Sequence, residues 1–381
     1  MQRTSVVQVS LRSGAVALLT GALLSGCTPA PVPTPAEGAV VAQNLSGPMG
    51  VYAAGDGSVW VVDSGTAGTA GSFTVPPDPG STTPTTINYG DTAQIVHVDA
   101  AGKSTVVASL PSLGGPEGAE GASRITMLNG NIYVTSGHWA EGASIARLPK
   151  TAAVLKVSGT TVTEVADVWG FEATNNPDKQ VKDSHAYGLA AGPDGNLWMT
   201  DAGGNDLLKV NPTTGAITLM AVFPNLPNTN PPAGVPPFSE PVPTGVAFLK
   251  DGAAYVSLLP GFPFTPGASK VVRVAADGSQ QDYATGLSMT TDLQTGPDGN
   301  LYAVELGQFG EQGPAPATGS IVRIRAGGVK ETVLTGLDTP TAISFNARGD
   351  AFITTGGAAA PNTGKVLRWD NFTTRKPVQA P

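Results

Sequence analysis

The sequence has little cysteine and little charge. Its 381 residues include one cysteine, Cys27, and charged residues make up 13% of the chain. One cysteine cannot form a disulfide bond within the chain, and the part after it has no thiol for catalysis. Acidic residues outnumber basic ones by 29 to 21, so no basic stripe is present to neutralise phosphates. We therefore predict no nucleic-acid partner.

Recognisable catalytic motifs are also missing. The chain has three histidines, His97, His138 and His185. None lies in a Ser/His/Asp spacing or in an HExxH segment, and the glycines follow turns and do not form a phosphate-binding loop. A lone histidine is more often a hydrogen-bonding loop residue than a general base. The motifs therefore assign no catalytic residue.

The longest apolar run is too short to span a membrane as a mature helix. It covers residues 15–24, follows Arg3 and Arg12, and has the form of a signal-peptide core. It ends in Leu-Ser-Gly-Cys at Cys27, which resembles the bacterial lipobox. We predict a signal peptide over 1–26, a lipidated Cys27 with a proline-rich linker over 27–38, and a single domain over 39–381. The protein is then an extracytoplasmic lipoprotein that contacts the cell membrane through its lipid anchor.

Glycine and proline are plentiful, with 49 and 33 residues, and a repeat accounts for many of them. The segment AGPDGNLWMT at 191–200 returns as TGPDGNLYAV at 295–304. An Asx-Gly or similar tight turn recurs six times, and each is followed by a strand with an aromatic residue in one fixed column. The column consists of Trp60, Tyr133, Trp198, Tyr255, Tyr302 and Phe352.

Further alternating strands follow each turn, and the sixth repeat lacks its fourth strand. The missing copy matches residues 39–48 at the start of the domain. We predict an all-β fold, a six-bladed β-propeller of four-stranded antiparallel blades, whose last blade is closed by the N-terminal strand. His97 falls in a column of lysines and arginines, which indicates a solvent-facing strand position.

The long insertions fall in two classes of loop that an up-down blade places on the same face. We call it the long-loop face and the opposite one the short-turn face. We expect function on the long-loop face, because neutral drift would lengthen loops on both faces equally. Its aromatic residues form either an exposed patch or local core under the loops. They are Trp139, Phe238, Phe262 and Phe264.

A carboxylate column points towards the long-loop face. The third residue after the strand aromatic is Asp63, Asp201 or Glu305 in three repeats. Three carboxylates could hold a hard cation such as calcium. They could equally cap loops or pair with arginine and lysine. Both interpretations remain open from the sequence.

A second column lies at the start of each inner strand. Its residue is small in four repeats. In the second and fifth repeats, which lie opposite each other in a six-fold ring, it is Arg124 and Asp292. Arg124 and Asp292 either pair with each other, bracket a polar ligand at the channel mouth, or pair with their neighbours. His185 and Tyr187 lie beside this column, so we include them among the candidate ligand-binding residues.

Several segments resemble a known family of exported bacterial propellers. FEATNNPD at 171–178, DSHAYGLAAGPDGN at 183–196, DAGGNDLLKV at 201–210 and GFPFTPGASKVVRV at 261–274 together look like the ScyD/ScyE family. The resemblance implies export and a propeller, and it brings no catalytic mechanism. The GPDGNLW repeat also resembles virginiamycin B lyase and, more loosely, gluconolactonase-like and NHL propellers. The lyase-type resemblance implies seven blades and a catalytic histidine in the last ones, but the last two repeats here contain no histidine.

These observations favour a lipid-anchored propeller that binds a ligand or protein partner on its long-loop face, with no catalytic activity assigned. The alternative is a metal-dependent lactonase-like hydrolase or lyase, with its site at the channel mouth. A third interpretation is a structural protein of an exported assembly. The sequence does not identify the ligand.

Overall fold

The computed structural model describes residues 38–77, 82–115, 118–228, 231, 236–310 and 313–378. The predicted signal peptide, Cys27 and nearly all of the linker lie outside the described residues. Within the described residues, the chain forms six antiparallel sheets that each contain a run of four strands. The predicted all-β class is confirmed.

Each of the six sheets, here called blades 1 to 6, is given from its inner strand outward. Blade 1 consists of Pro48–Ala53, Val59–Asp63, Thr85–Val98 and Ser104–Gly115. Blade 2 consists of Ala122–Leu128, Asn131–Ser136, Ala153–Ser158 and Thr161–Asp167. Blade 3 consists of Asp183–Ala191, Leu197–Asp201, Asp206–Val210 and Ile217–Val222. Blade 4 consists of Pro243–Phe248, Ala254–Leu258, Ser269–Val274 and Gln280–Leu287. Blade 5 consists of Thr290–Thr295, Leu301–Glu305, Gly319–Arg325 and Val329–Leu337. Blade 6 consists of Ile343–Phe345, Ala351–Thr355, Gly364–Trp369 and Ala39–Leu45.

The inner strands form a closed ring. Each inner strand contacts that of the next blade, and the inner strand of blade 6 contacts that of blade 1. This arrangement is a β-propeller. The ring closes through the N-terminal strand Ala39–Leu45, which pairs with Gly364–Trp369 as the outer strand of blade 6. The predicted closure is therefore present, and it covers an edge that would otherwise be open to other strands.

Small residues at the ring are required because the inner strands lie very close together. A Cβ atom on Gly188 would lie 2.0 Å from the carbonyl oxygen of Thr244, and one on Gly245 would lie 2.1 Å from the amide nitrogen of Leu293. Both partners belong to the next blade. Any side chain at these two positions would push neighbouring blades apart.

Buried hydroxyl groups form hydrogen bonds between neighbouring blades. Thr135 Oγ1 of blade 2 donates to the Tyr187 carbonyl of blade 3 at 2.6 Å. Thr200 Oγ1 of blade 3 donates to the Thr244 carbonyl of blade 4 at 2.7 Å. Because each hydroxyl is fully buried, these bonds satisfy carbonyls that water cannot reach.

The turn and aromatic columns build the short-turn face. The glycine of each of the six tight turns has a positive φ, as in Gly195 at 74° and Gly299 at 79°. In blades 3, 4 and 5 the turn aspartate also accepts a hydrogen bond from the strand aromatic, as Asp298 does from the Tyr302 hydroxyl at 2.9 Å. His97 lies opposite Trp60 on this face and packs against it, with ring centroids 4.5 Å apart and the ring planes tilted by 41°.

Two predicted loops contain regular structure instead. The insertion over 64–92 contains strand Gly71–Val75, which pairs with an extended Thr85–Val98. The insertion over 168–186 contains helix Val168–Asn175, whose N-cap Asp167 accepts a hydrogen bond from the Gly170 amide at 2.9 Å. The remaining elements are short. They are the strands Gly118–Glu120, His138–Ala140, Leu226–Pro227, Phe238–Ser239, Phe309–Gly310 and Gly313–Pro314, and the 3-10 turns Ala326–Gly328 and Phe372–Thr374.

Candidate functional site at the channel mouth

Arg124 and Asp292 meet across the ring. Arg124 Nε lies 3.4 Å from Asp292 Oδ1, and the two residues are 3% and 2% exposed. Asp292 Oδ2 also accepts from the Ile343 amide at 3.1 Å. Of the alternatives that the sequence left open, direct pairing is the one present.

The guanidinium of Arg124 joins four blades. Its NH1 donates to the carbonyls of Met49 in blade 1 and Ser123 in blade 2. Its NH2 donates to the carbonyls of Thr291 in blade 5 and Thr341 in blade 6. The carbonyls and Asp292 occupy both terminal nitrogens and Nε. This side chain is therefore a structural plug in the channel and has little capacity left for a ligand.

Tyr187 and His185 lie beside this plug. The Cζ atom of Arg124 is 4.5 Å from the centroid of the Tyr187 ring, and the His185 ring packs edge-on against Tyr187 with centroids 5.3 Å apart. Burial opposes the charge of Arg124, but Tyr187 and Asp292 raise its pKa above the ordinary value. The guanidinium therefore stays charged.

His138 forms an ion pair that the sequence did not predict. Its Nε2 lies 2.6 Å from Asp183 Oδ1, and its Nδ1 lies 3.9 Å from Glu120 Oε2. Burial works against the charged ring, but Asp183 and Glu120 outweigh it and raise the pKa of His138 to about 9. The short strand His138–Ala140 positions the ring by pairing with Asp183–Ala191, which places His138 opposite His185.

His185 differs from His138 in its ionisation. Burial lowers the pKa of His185 below its ordinary value, and the neighbouring His138 and Arg124 act in the same direction. Its Nε2 lies 3.5 Å from the Ser123 hydroxyl. A charged and a neutral imidazole therefore stand next to each other at the mouth, with ring centroids 6.1 Å apart.

The carboxylate column of Asp63, Asp201 and Glu305 caps loops in three separate blades. Asp63 Oδ2 accepts from the Ser46 amide at 2.7 Å, and Glu305 Oε1 accepts from the Ser288 amide at 2.8 Å; both amides lie 17 residues earlier. Asp201 accepts from the Ser184 hydroxyl, 17 residues earlier, and from the His185 amide. In the described part of the chain, no three histidine, cysteine or acidic residues form a group that could hold a metal ion. The geometry thus supports loop capping for this column.

Sequence reasoning missed a buried acidic group beside blade 3. Glu172 on the helix and Asp206 in the third strand are each 1% exposed. Burial, and then the nearby Asp201, raise the pKa of Glu172 to about 8, and the same two causes raise that of Asp206. Glu172 lies in an insertion that occurs once, and Asp206 is the only acidic residue in its third-strand column, so the alignment of repeats gave no signal for a shared acidic group.

The aromatic residues of the long loops divide into core and surface. Trp139 and Phe264 are buried, and Phe238 is 38% exposed. Phe264 packs between Phe262 and Phe309, at centroid distances of 6.2 and 4.5 Å. We call these three rings the aromatic patch. Phe262 is 52% exposed and Phe309 37%, so the patch presents two rings to solvent.

Comparison with known proteins finds distant structural similarity only. No protein-family model matches the chain, and no curated protein sequence matches it. Similar solved structures include virginiamycin B lyase from Staphylococcus aureus, at 17% identity over 90% of this chain and 88% of the other, with a TM-score of 0.47. A putative gluconolactonase is 11% identical over 90% and 94% of the two chains, with a TM-score of 0.49.

A third similar structure is the calcium-binding protein regucalcin from Agrobacterium tumefaciens. It is 12% identical over 87% of this chain and 92% of the other, with a TM-score of 0.49. Because all three identities are low and all three TM-scores are below 0.5, they carry no argument about activity or ligand. The assignment of a propeller therefore depends on the closed ring of sheets described above.

Proposed function

We propose that the protein is a lipid-anchored extracytoplasmic binding protein whose long-loop face takes a ligand or protein partner. The observation that carries this proposal is the aromatic patch. Exposed aromatic rings on a rigid scaffold are a common feature of binding surfaces, because they bury a large apolar area with little loss of conformational freedom. Phe264 fixes the patch, since it is part of an apolar cluster that also includes Leu259, Met289 and Leu306.

The direction of the closing strand supports this choice of face. Ala39, the first residue of that strand, pairs with Arg368, and Arg368 bonds to Asp350 at 3.0 Å beside the sixth tight turn. The linker therefore joins the domain at the short-turn face. A lipid on Cys27 would hold the short-turn face towards the membrane and turn the long-loop face away from it.

The plugged channel supports a surface site over a deep one. Arg124 fills the ring and has its donors occupied, so a ligand would meet the mouth from above. His185 and Tyr187 lie there, and we propose that they contribute to binding. The ScyD/ScyE resemblance agrees with an exported propeller but supplies no ligand.

Site-specific photo-crosslinking tests this proposal. A photoreactive phenylalanine would replace Phe262 in cells of the encoding organism, and a matched one would replace Val329. Val329 is 57% exposed and begins the outer strand of blade 5 on the short-turn face. We expect a discrete adduct from position 262 and none from 329. Loss of that adduct on Phe309→Ser would assign it to the patch, whereas equal labelling at both positions would refute a specific face.

The alternative function is a metal-dependent lactonase-like hydrolase or lyase at the channel mouth. The observation in its favour is the contact between the Ser123 hydroxyl and the neutral His185 ring at 3.5 Å, next to the His138–Asp183 pair. A neutral imidazole beside a hydroxyl can accept a proton. A screen of lactones and esters with added divalent ions tests it. Turnover that His185→Ala abolishes would favour the enzyme over the binding protein.

A further inference from the structure

Buried acidic side chains lie where helix Val168–Asn175 packs against blade 3 on the long-loop face. Glu172 comes from the helix, and Asp206 begins the third strand of the blade. Asp206 is paired across the sheet with Asp201, the last residue of the second strand. The chain thus brings three carboxylates from three elements towards one region, and each of them is 1% exposed.

Several oxygens in this region have no hydrogen-bond partner. They are both carboxylate oxygens of Glu172, Oδ1 of Asp206 and Oδ1 of Asn205, which is also 1% exposed. The amide nitrogen of Asn205 donates to Asp178 Oδ2 at 3.0 Å, which fixes the amide with its oxygen on the opposite side. Buried oxygens without donors are strongly unfavourable, so something must satisfy them.

Gly204 shows that two of the carboxylates share a common space. A Cβ atom on Gly204 would lie 3.3 Å from Glu172 Oε2 and 3.3 Å from Asp201 Oδ2. Glycine at this position therefore leaves room between the helix and the second strand. Asp201 Oδ2 accepts one hydrogen bond, from the Ser184 hydroxyl at 2.7 Å, and retains a lone pair.

We propose that Glu172, Asp206 and Asn205 form a binding site for a hard divalent cation of the calcium type, with Asp201 Oδ2 facing the same space. The donors are carboxylate and amide oxygens, which calcium prefers, and no nitrogen or sulfur ligand takes part. Calcium takes six to eight oxygens, so the amide oxygen and water would complete the shell. In the described residues no three acidic, histidine or cysteine side chains form a metal-holding group, so the proposed site depends on the Asn205 amide oxygen as well as on carboxylates.

The site shares Asp201 with the carboxylate column but not Asp63 or Glu305, and none of its residues belongs to the aromatic patch. Glu305 and Asp63 belong to other blades and already accept amide hydrogens. A cation between Glu172 and Asp206 would fasten the helix to blade 3, because the two residues belong to those two elements. Its role would be to hold the insertion over 168–186 in place on the long-loop face.

The test is a thermal melt of residues 28–381, which include all the described strands, after treatment with EDTA and then with calcium or magnesium. Calcium at about a hundredfold excess over its Kd should raise the Tm by roughly 3 to 6 °C. Glu172→Gln and Asp206→Asn should each abolish most of that rise. Asp277→Asn, which removes an exposed carboxylate of the turn before the outer strand of blade 4, should keep it.

Terbium luminescence gives a second measurement that does not depend on stability. Trp169 lies three residues before Glu172 on the same helix, so it should sensitise a bound Tb³⁺ ion. We expect the signal to be lost in Trp169→Phe and Glu172→Gln and to be displaced by calcium. Glu305→Gln should keep both the signal and the calcium-dependent Tm rise. A Tm rise that survives Glu172→Gln and Asp206→Asn, or no rise and no luminescence in the unmutated chain, would overturn the proposal.

Discussion

At the scale of single residues, the buried Arg124 guanidinium is held by Asp292 and by four backbone carbonyls. A buried ion pair is usually weak evidence for stability, because desolvation offsets much of the attraction. Here the guanidinium also satisfies buried carbonyls from four blades, and these carbonyls would be left without donors if it were removed. The cost of losing Arg124 is therefore larger than that of losing one ion pair.

We predict that Arg124→Met lowers the free energy of unfolding by about 3 to 5 kcal/mol, measured by denaturant titration. Arg325→Met is the matched control, because Arg325 is 52% exposed and should change stability by less than about 0.5 kcal/mol. The charge swap of Arg124→Asp with Asp292→Arg should not restore stability, since an aspartate at 124 cannot donate to the carbonyls. Full recovery in the swap would show that the ion pair alone matters.

His138 predicts a particular dependence of stability on pH. Its folded pKa of about 9 lies above the ordinary 6.5, so the folded state holds the proton more tightly. The resulting stabilisation is fully present below pH 6.5 and is lost as the pH rises through 9. Asp183 and Glu120 face the ring from opposite sides, and His185 stands beside it.

We expect His138→Gln to lower the free energy of unfolding by roughly 2 to 3 kcal/mol at pH 6, and by much less at pH 10. Denaturant titrations at both pH values measure this difference. In an Asp183→Asn background the same substitution should have a much smaller pH-dependent effect, because the main partner of the ring is gone. An equal loss at both pH values would mean that His138 contributes packing and not charge.

At the scale of elements, the closing strand Ala39–Leu45 has the clearest structural role. It buries Ala42 and Leu45 in the cluster between blades 6 and 1, and it covers the edge of Gly364–Trp369. We predict that a chain beginning at residue 46 loses at least about 3 kcal/mol of stability and self-associates through the uncovered edge. Calorimetry and size-exclusion chromatography measure both effects. A chain beginning at residue 38 keeps the closing strand and should be as stable as the full chain. Equal stability of the chains beginning at residues 38 and 46 would exclude a role of this strand in closure.

The elements that the sequence predicted are those that repeat. A turn with positive φ, an aromatic four residues later and an alternating strand recur in register, so each copy supports the assignment of the others. The helix Val168–Asn175 and the strand Gly71–Val75 occur once each, and their local sequence had no second copy to compare with. The group around Glu172 and Asp206 was hidden for the same reason, because only the fold brings its three segments together.

The sequence predicted the position of the paired channel residues but not their full set of contacts. The repeat columns placed Arg124 and Asp292 opposite each other, but a column gives the direction of a side chain and not its length or its partners. The carbonyls that occupy Arg124 come from residues with no distinctive side chain. Whether Asp63 and Glu305 bind a metal or cap a loop likewise depends on backbone amides, which the sequence pattern does not locate.

At the scale of the whole molecule, the two faces of the propeller carry different features. The short-turn face carries the tight turns, the turn aspartates and the start of the closing strand. The long-loop face carries the aromatic patch, the paired histidines and the acidic group around Glu172. The described residues contain no helix that is both long and apolar enough to cross a membrane. In our proposal, attachment depends on Cys27 and its lipid.

We predict that Cys27→Ser moves the protein from the detergent phase to the aqueous phase in a Triton X-114 partition of the producing cells. The reason is that stable anchoring needs two acyl chains or an equivalent second signal, and a serine at this position would accept no lipid. Thr28→Ser, the matched control one residue further on, should leave the protein in the detergent phase. Metabolic labelling with an alkyne fatty acid should mark the unmutated chain and the Thr28 variant but not Cys27→Ser. If Cys27→Ser entered the detergent phase without a label, the apolar run over 15–24 would be the anchor. The short-turn face would then still be held towards the membrane, but by a peptide and not by a lipid.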